Sequence, residues 1–245
     1  MADQYRLTGT DLTAPPWPLL IEVAEATPSN SWVLVGGMMV HLHALRGRVA
    51  ALRPTTDIDV LLNLEAAAAE VSVVAGALQR IGMRPAESRG PFHRFTRGDD
   101  VVDVMVTNRV GRVRWNSRPI MRAPGATLAL DDPDIFVVDV HGRTVPIAVP
   151  RTPAALVLKA AAYKNDQRGR GRHLEDFAVL LAADIAQTPE YSGIPTSQRR
   201  HLHPAVDELT DRGHPAWHVL DPHDRELAHR AFDMLMRQIG TDRAL

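Results

Sequence analysis

The chain has 245 residues, 28 basic and 29 acidic side chains, and a formal net charge of -1. Its 45% hydrophobic and 23% charged residues are an ordinary globular balance, which excludes the disordered and fibrous classes. With no cysteine it has no disulfide scaffold, no Cys-based zinc or iron–sulfur centre and no thiol nucleophile.

Read along the chain, Pro15, Pro16 and Pro18 introduce a short helix over Leu19 to Ala26. Ser31 to Gly37 (SWVLVGG) predicts a buried strand ending in a glycine pair, with a helix over Met38 to Leu45 and a loop to Thr56. Asp57 to Leu62 (DIDVLL) alternates acid and apolar residues, a strand signal, and Leu64 to Ile81 is an alanine-rich helix broken at Gly82. His93 to Thr96 and Val101 to Val106 form an expected antiparallel pair around Arg97-Gly98-Asp99-Asp100. Ile135 to Val140 and Thr144 to Val149 form a second hairpin, turning at His141-Gly142-Arg143.

After Arg151 the pattern becomes helical: Pro153 to Tyr163 with Thr152 as its expected cap, His173 to Ala183, a helix around Gln198 to Arg212, and Asp224 to Ile239. The expected fold class is α+β, with a core domain over residues 1–150 carrying a small mixed sheet and a helical domain over 151–245. The longest stretch without a formal charge, Thr27 to Leu45, is interrupted by Pro28, Ser29, Asn30, Ser31, His41 and His43, so no membrane span is expected. The N-terminus lacks the basic-then-apolar order of a signal peptide, and a cytoplasmic location is the expectation.

Asp57 and Asp59 open an apolar strand, and the period of two puts both carboxylates on one face. Such a pair is relieved by a divalent cation, although a solvated strand end would also tolerate it. Asp103, set between Val102 and Val104, would complete a three-carboxylate cluster suited to two Mg²⁺ ions, with Mn²⁺ as a substitute; its alternative is an outward-facing position on a half-exposed strand. Gly36-Gly37, between strand and helix, would let backbone N–H groups approach a phosphate, a weak signal by itself. Asp132-Pro133-Asp134 is a loop triplet of the kind composition alone supplies, and the His41-x-His43 pair does not share a helix face.

Strand-Gly-Gly, helix, a strand opening Asp-x-Asp and a third strand carrying Asp is an order that resembles the nucleotidyltransferase fold of the DNA polymerase β superfamily. The segments VLVGGMMVHLHALRGRVAALRPTTDIDVLL and LVLKAAAYKNDQRGRGRHLEDFAVLL are similar to the AbiEii-type nucleotidyltransferase toxins, and the likeness covers residues 32 to about 182. It implies a polymerase-β-like core and a helical C-terminal domain that completes a nucleotide site. It implies Asp57, Asp59 and Asp103 as metal and catalytic residues, Gly36, Gly37 and Thr56 along the phosphates, Lys159 on the triphosphate, and Asp176 binding nucleotide or orienting Lys159. Two departures stand out: nineteen residues separate Gly37 from Asp57, a long spacer, and glycine occupies position 37, where serine is common. The spacer leaves Arg46, Arg48 and Arg53 without an assigned role.

Twenty-six of the basic residues are arginine and two are lysine, Lys159 and Lys164. Where arginine serves almost everywhere, a retained lysine points to a need for a compact ammonium, with a snorkelling helix lysine as the plainer alternative. Local basic tracts offset the neutral total: Arg109, Arg112, Arg114, Arg118 and Arg122 with Trp115 among them, and five basic residues between Lys159 and His173. They are either solvated loops or guides for a polyanion such as RNA, with Trp115 able to stack on a base. The expected activity is Mg²⁺-dependent transfer of NMP from an NTP to an RNA (the tRNA 3′ end among the candidates) or protein acceptor, in a toxin with a cognate antitoxin and no membrane partner. The alternatives are a small-molecule nucleotidyltransferase of the antibiotic-modifying kind and a non-catalytic nucleotide-binding module.

Overall fold

The computed structural model describes residues 4–7, 12, 14–50, 53–63, 68–87, 90–111, 113–140, 142–166, 169–185 and 190–240, with backbone alone for 68–70. The fold is mixed α+β and divides into two compact units. One comprises Met1–Met38 and Pro54–Pro150, the other Met39–Arg53 and Arg151–Leu245.

The first unit holds all the strands of the described residues: β1 (Gln4–Leu7), β2 (Trp32–Val35), β3 (Asp57–Leu62), β4 (Arg84–Pro85), β5 (Arg94–Arg97), β6 (Asp100–Met105), β7 (Arg114–Trp115), β8 (Arg118–Pro119), β9 (Asp134–Val140) and β10 (Arg143–Val149). Its helices are α1 (Trp17–Ala26), α3 (Ala68–Arg80) and the first turn of α2 (Gly36–Gly47). Five strands form a mixed sheet in the order β2-β3-β6-β5-β4, in which only β3 and β6 run parallel. A three-stranded sheet, β1-β9-β10, abuts β2 along β10.

The period of two sorts the side chains of the mixed sheet. Ile58, Val60, Val102 and Val104 are all essentially buried, and their odd-numbered neighbours take the other face. Helix α1 lies against α3, β9 and β10, and its polar side is tied to the sheets by ion pairs: Arg97 spans Glu22 and Asp100, and Arg143 meets Glu25.

The second unit is helical. After the rest of α2 come α4 (Thr152–Asn165), α5 (Arg170–Asp184), α6 (Thr196–Arg199), α7 (His203–Leu209), a 3₁₀ turn over Pro215–Val219, and α8 (Pro222–Ile239). Helix α5 packs between α4 and α8. Nearly every described side chain of α4 from Thr152 to Ala161 is buried, which explains its run of small and branched apolar residues. Helix α8 starts cleanly: Asp221 accepts from the Asp224 N–H at 2.8 Å, and Pro222 takes the first turn, where no intrahelical donor is needed. Trp217 is wholly buried, edge-on to His229 and Phe232 at 4.6 and 5.6 Å. No helix among the described residues is long and apolar enough to cross a membrane.

Several expected boundaries move for identifiable reasons. Gly36 and Gly37 are not a strand end but the first residues of α2. The helix expected around Gln198 to Arg212 splits into α6 and α7, because Pro204 has no N–H for an interior helical bond. Thr152 is the first residue of α4 and gives no cap; its hydroxyl accepts from Arg46 at 3.1 Å. The expected helix start at Leu64 to Ala67 and the turn residue His141 lie outside the described residues.

Candidate functional site

Strand register assembles the acids. β3 and β6 pair in parallel with Asp59 directly beside Asp103, and Asp57 precedes Asp59 on the same face. One carboxylate oxygen from each of Asp57, Asp59 and Asp103 lies within 4.8 Å of the others, the one such group of potential metal ligands among the described residues. Asp103 is buried at 8% exposure, whereas Asp57 and Asp59 are half-buried. At 4.8 Å and an effective dielectric of ~20, two carboxylates repel by about 3.5 kcal/mol. Three hard-oxygen donors in this arrangement are the donor set that magnesium or manganese takes, so the residues fit such an ion.

The two glycines make room for this ledge. Gly36 has φ +68°, a conformation side chains rarely adopt, and a Cβ there would fall 1.8 Å from Oδ2 of Asp59. A Cβ on Gly37 would fall 2.5 Å from the Thr55 hydroxyl oxygen. That hydroxyl donates to Oδ1 of Asp57 at 3.1 Å, and Thr55 is buried. Serine at position 37 is therefore sterically excluded by Thr55. Thr56, expected along the phosphates, is exposed, and the hydroxyl that meets an acid is its neighbour's.

Arg94 was not singled out from the sequence. It stands opposite Asp103 across the antiparallel β5–β6 pair and donates from Nε and Nη2 to the two carboxylate oxygens, both at 2.7 Å. Its guanidinium is held more firmly charged than usual, first by these hydrogen bonds and then by the nearby charges of Asp103, Asp57 and Asp59. The sheet thus carries a cross-strand row on one face: Asp59, Asp103, Arg94. The register that pairs them is not written in either strand alone.

In the helical unit, Lys159 on α4 donates to Asp176 on α5 at 2.7 Å, with both side chains almost fully buried. Arg53 approaches the same carboxylate at 3.6 Å. Burial pushes the Asp176 carboxyl up, but the charge and hydrogen bond of Lys159, aided by Arg53, outweigh it and leave the group below its ordinary value. Burial pushes His41 and His173 down; His41 meets the Arg53 carbonyl at 2.7 Å and His173 meets Asp166 at 3.0 Å. Lys164 is exposed.

The basic tracts are largely engaged within the fold. Arg114 donates to the Ser117 carbonyl, Arg118 to that of Gly90, and Arg122 to those of Asn108, Val110 and Gly111. Trp115, expected as a base-stacking ring, packs on Phe92 and Phe95 at 4.6 and 5.5 Å. Arg112 lies outside the described residues, and Arg109 is exposed. Arg170 sits over the Tyr163 ring at 4.3 Å, and Arg172 pairs with Asp166 at 2.9 Å.

No protein-family model and no curated protein matches the chain. Solved structures similar to it include ANT(2'')-Ia in complex with adenylyl-2''-tobramycin, at 14% identity over 89% of this chain and 96% of that one, with a TM-score of 0.38. A solution structure of ANT(2'')-Ia, described there as an antibiotic-resistance factor with substrate-regulated conformation dynamics, matches at 14% identity over 92% and 95%, with a TM-score of 0.39. An antigenic nucleotidyltransferase-like protein from Paracoccidioides brasiliensis matches at 14% identity over 82% and 84%, with a TM-score of 0.45.

Proposed function

We propose that the protein is a divalent-cation-dependent nucleotidyltransferase of the polymerase-β-like type, with Asp57, Asp59 and Asp103 as its catalytic centre. The observation that carries this reading is the convergence of three carboxylates within 4.8 Å on one face of a parallel strand pair. These three residues would hold magnesium or manganese, which when bound supplies neutralisation of triphosphate charge and activation of an acceptor hydroxyl. Gly36 and Gly37 start α2 without side chains, and backbone N–H groups there would bind phosphate oxygens. Thr55 orients Asp57 through its hydroxyl. Asp103 acts as a ligand in preference to a general base, since both its oxygens already accept guanidinium hydrogen bonds. The family resemblance gives Lys159, paired with Asp176 in the helical unit, a triphosphate-binding role.

The reaction is in-line attack of an acceptor hydroxyl oxygen on the α-phosphorus. The new O–P bond forms as the bond to the α,β-bridging oxygen breaks; pyrophosphate leaves, and the hydroxyl proton passes to solvent. RNA or protein as acceptor, and a toxin role neutralised by an antitoxin, follow from the AbiEii-type resemblance of residues 32 to 182 and belong to this proposal. The test supplies Mg²⁺ and each α-labelled NTP with total RNA, cell protein or an aminoglycoside such as tobramycin as acceptor. Label should transfer to RNA or protein and vanish in Asp57→Asn. Transfer to the aminoglycoside alone would replace the toxin reading with the small-molecule one. Transfer that survives Asp57→Asn, or none to any acceptor, removes the catalytic assignment.

A further inference from the structure

We propose that Arg94 is a positioning residue that serves as the resident counter-cation of the carboxylate ledge, keeping divalent-cation affinity low until a nucleoside triphosphate arrives. The inference rests on reading the ledge as a metal site and goes beyond it, since nothing in that reading requires a cation from β5. Arg94 is directly opposite Asp103 in the strand register, and its planar fork meets both carboxylate oxygens at 2.7 Å. Such a grip fixes the Asp103 plane and takes one acceptor position on each oxygen, leaving the second for a metal.

The charge balance gives the grip its consequence. Three carboxylates and one guanidinium leave a formal charge of -2 on the ledge, where the acids alone would carry -3. A divalent ion ligated by Asp103 would therefore meet a weaker field and a like charge held against the same carboxylate. A triphosphate brings several negative charges of its own and offsets the guanidinium, so metal and nucleotide favour each other's binding. The Arg94 side chain is 40% exposed, which lets it be neutralised without opening the core.

The test measures Mn²⁺ binding by water-proton relaxation enhancement in the wild type, Arg94→Gln and Arg94→Lys, each with and without the four NTPs. Thermal unfolding checks that the fold is kept. Without nucleotide, Arg94→Gln should bind Mn²⁺ at least about tenfold more tightly than the wild type, and Arg94→Lys, which retains the charge, should stay within about threefold. With NTPs the gap should narrow to less than about threefold. Asp57→Asn in the Arg94→Gln background should abolish the gain. Arg94→Met is the second neutral variant should Arg94→Gln not fold. Equal or weaker binding in the neutral variants, with wild-type binding that depends on Asp57, overturns the role of Arg94 and leaves the metal site standing. Absence of Asp57-dependent binding in every protein, with or without NTPs, overturns the metal site and this inference together.

Discussion

Gly36→Ala tests how tightly the ledge is built. The substitution adds one methyl group at φ +68°, where a non-glycine residue costs about 1–2 kcal/mol from contact with its own backbone. The methyl would also lie 1.8 Å from Oδ2 and 2.5 Å from Cγ of Asp59, so the carboxylate must retreat by roughly 1 Å or more before the contact is tolerable. Driving that side chain off its rotamer, or shifting β3 to accommodate it, adds about 1–3 kcal/mol. The expected loss is about 2–5 kcal/mol of unfolding free energy, read from urea denaturation. Gly98→Ala is the internal control: φ is +57° and nothing lies within 4 Å of the added Cβ, so only the backbone cost of about 1–2 kcal/mol applies. Mn²⁺ binding should fall in Gly36→Ala and hold in Gly98→Ala, because only the former displaces a ligand. If Gly36→Ala lost no more stability than Gly98→Ala and bound Mn²⁺ as the wild type does, the close packing of Gly36 on Asp59 would be refuted.

Thr55→Val keeps the buried shape and removes the hydroxyl that holds Asp57, a loss of about 1 kcal/mol, or roughly fivefold weaker Mn²⁺ binding, which Thr55→Ser should restore. Lys159→Met leaves the Asp176 carboxylate buried with Arg53 at 3.6 Å, and urea midpoints should report about 3 kcal/mol of destabilisation, with a smaller loss in the double variant carrying Asp176→Leu. Burial raises the Asp184 carboxyl above its ordinary 3.8, so the folded protein keeps that proton to higher pH than the unfolded chain. This contribution is complete below pH 3.8 and is lost as pH rises through the folded value. Asp184→Asn stays neutral throughout and should be the more stable protein at pH 7, with the gap closing below about pH 4 in denaturation curves taken across pH. A gap independent of pH would contradict it.

Elements with a strong period were legible in the sequence. Asp57–Leu62 alternates acid and apolar residues over its first four positions, and the strand has those bounds. The helix over Pro153 to Tyr163 and the one over His173 to Ala183 extend by a turn or less in the structure. What escaped has little local signal. Strands β7 and β8 are two residues each, too short for periodicity, and β1 exists because it pairs in parallel with β9, more than 120 residues away. The break before α7 was readable from Pro204, since a residue without an N–H cannot continue an interior helix.

The site divides along the same line. Asp57 and Asp59 share a face by the arithmetic of one strand, but the approach of Asp103 depends on the parallel β3–β6 register, which neither strand states alone. Arg94 looked like one arginine among many, and its distinction is purely a cross-strand one, set by the β5–β6 register. The glycine at position 37 shows how a departure in one segment is explained by another. Read locally it is the loss of a serine hydroxyl; in the fold its missing side chain is the space filled by Thr55, eighteen residues later, whose hydroxyl reaches Asp57. The long spacer between glycine pair and acids brings that threonine back against the start of α2. Gly37 and Thr55 are therefore one structural choice made at two positions, and a serine introduced at 37 should be accepted only with a smaller residue at 55.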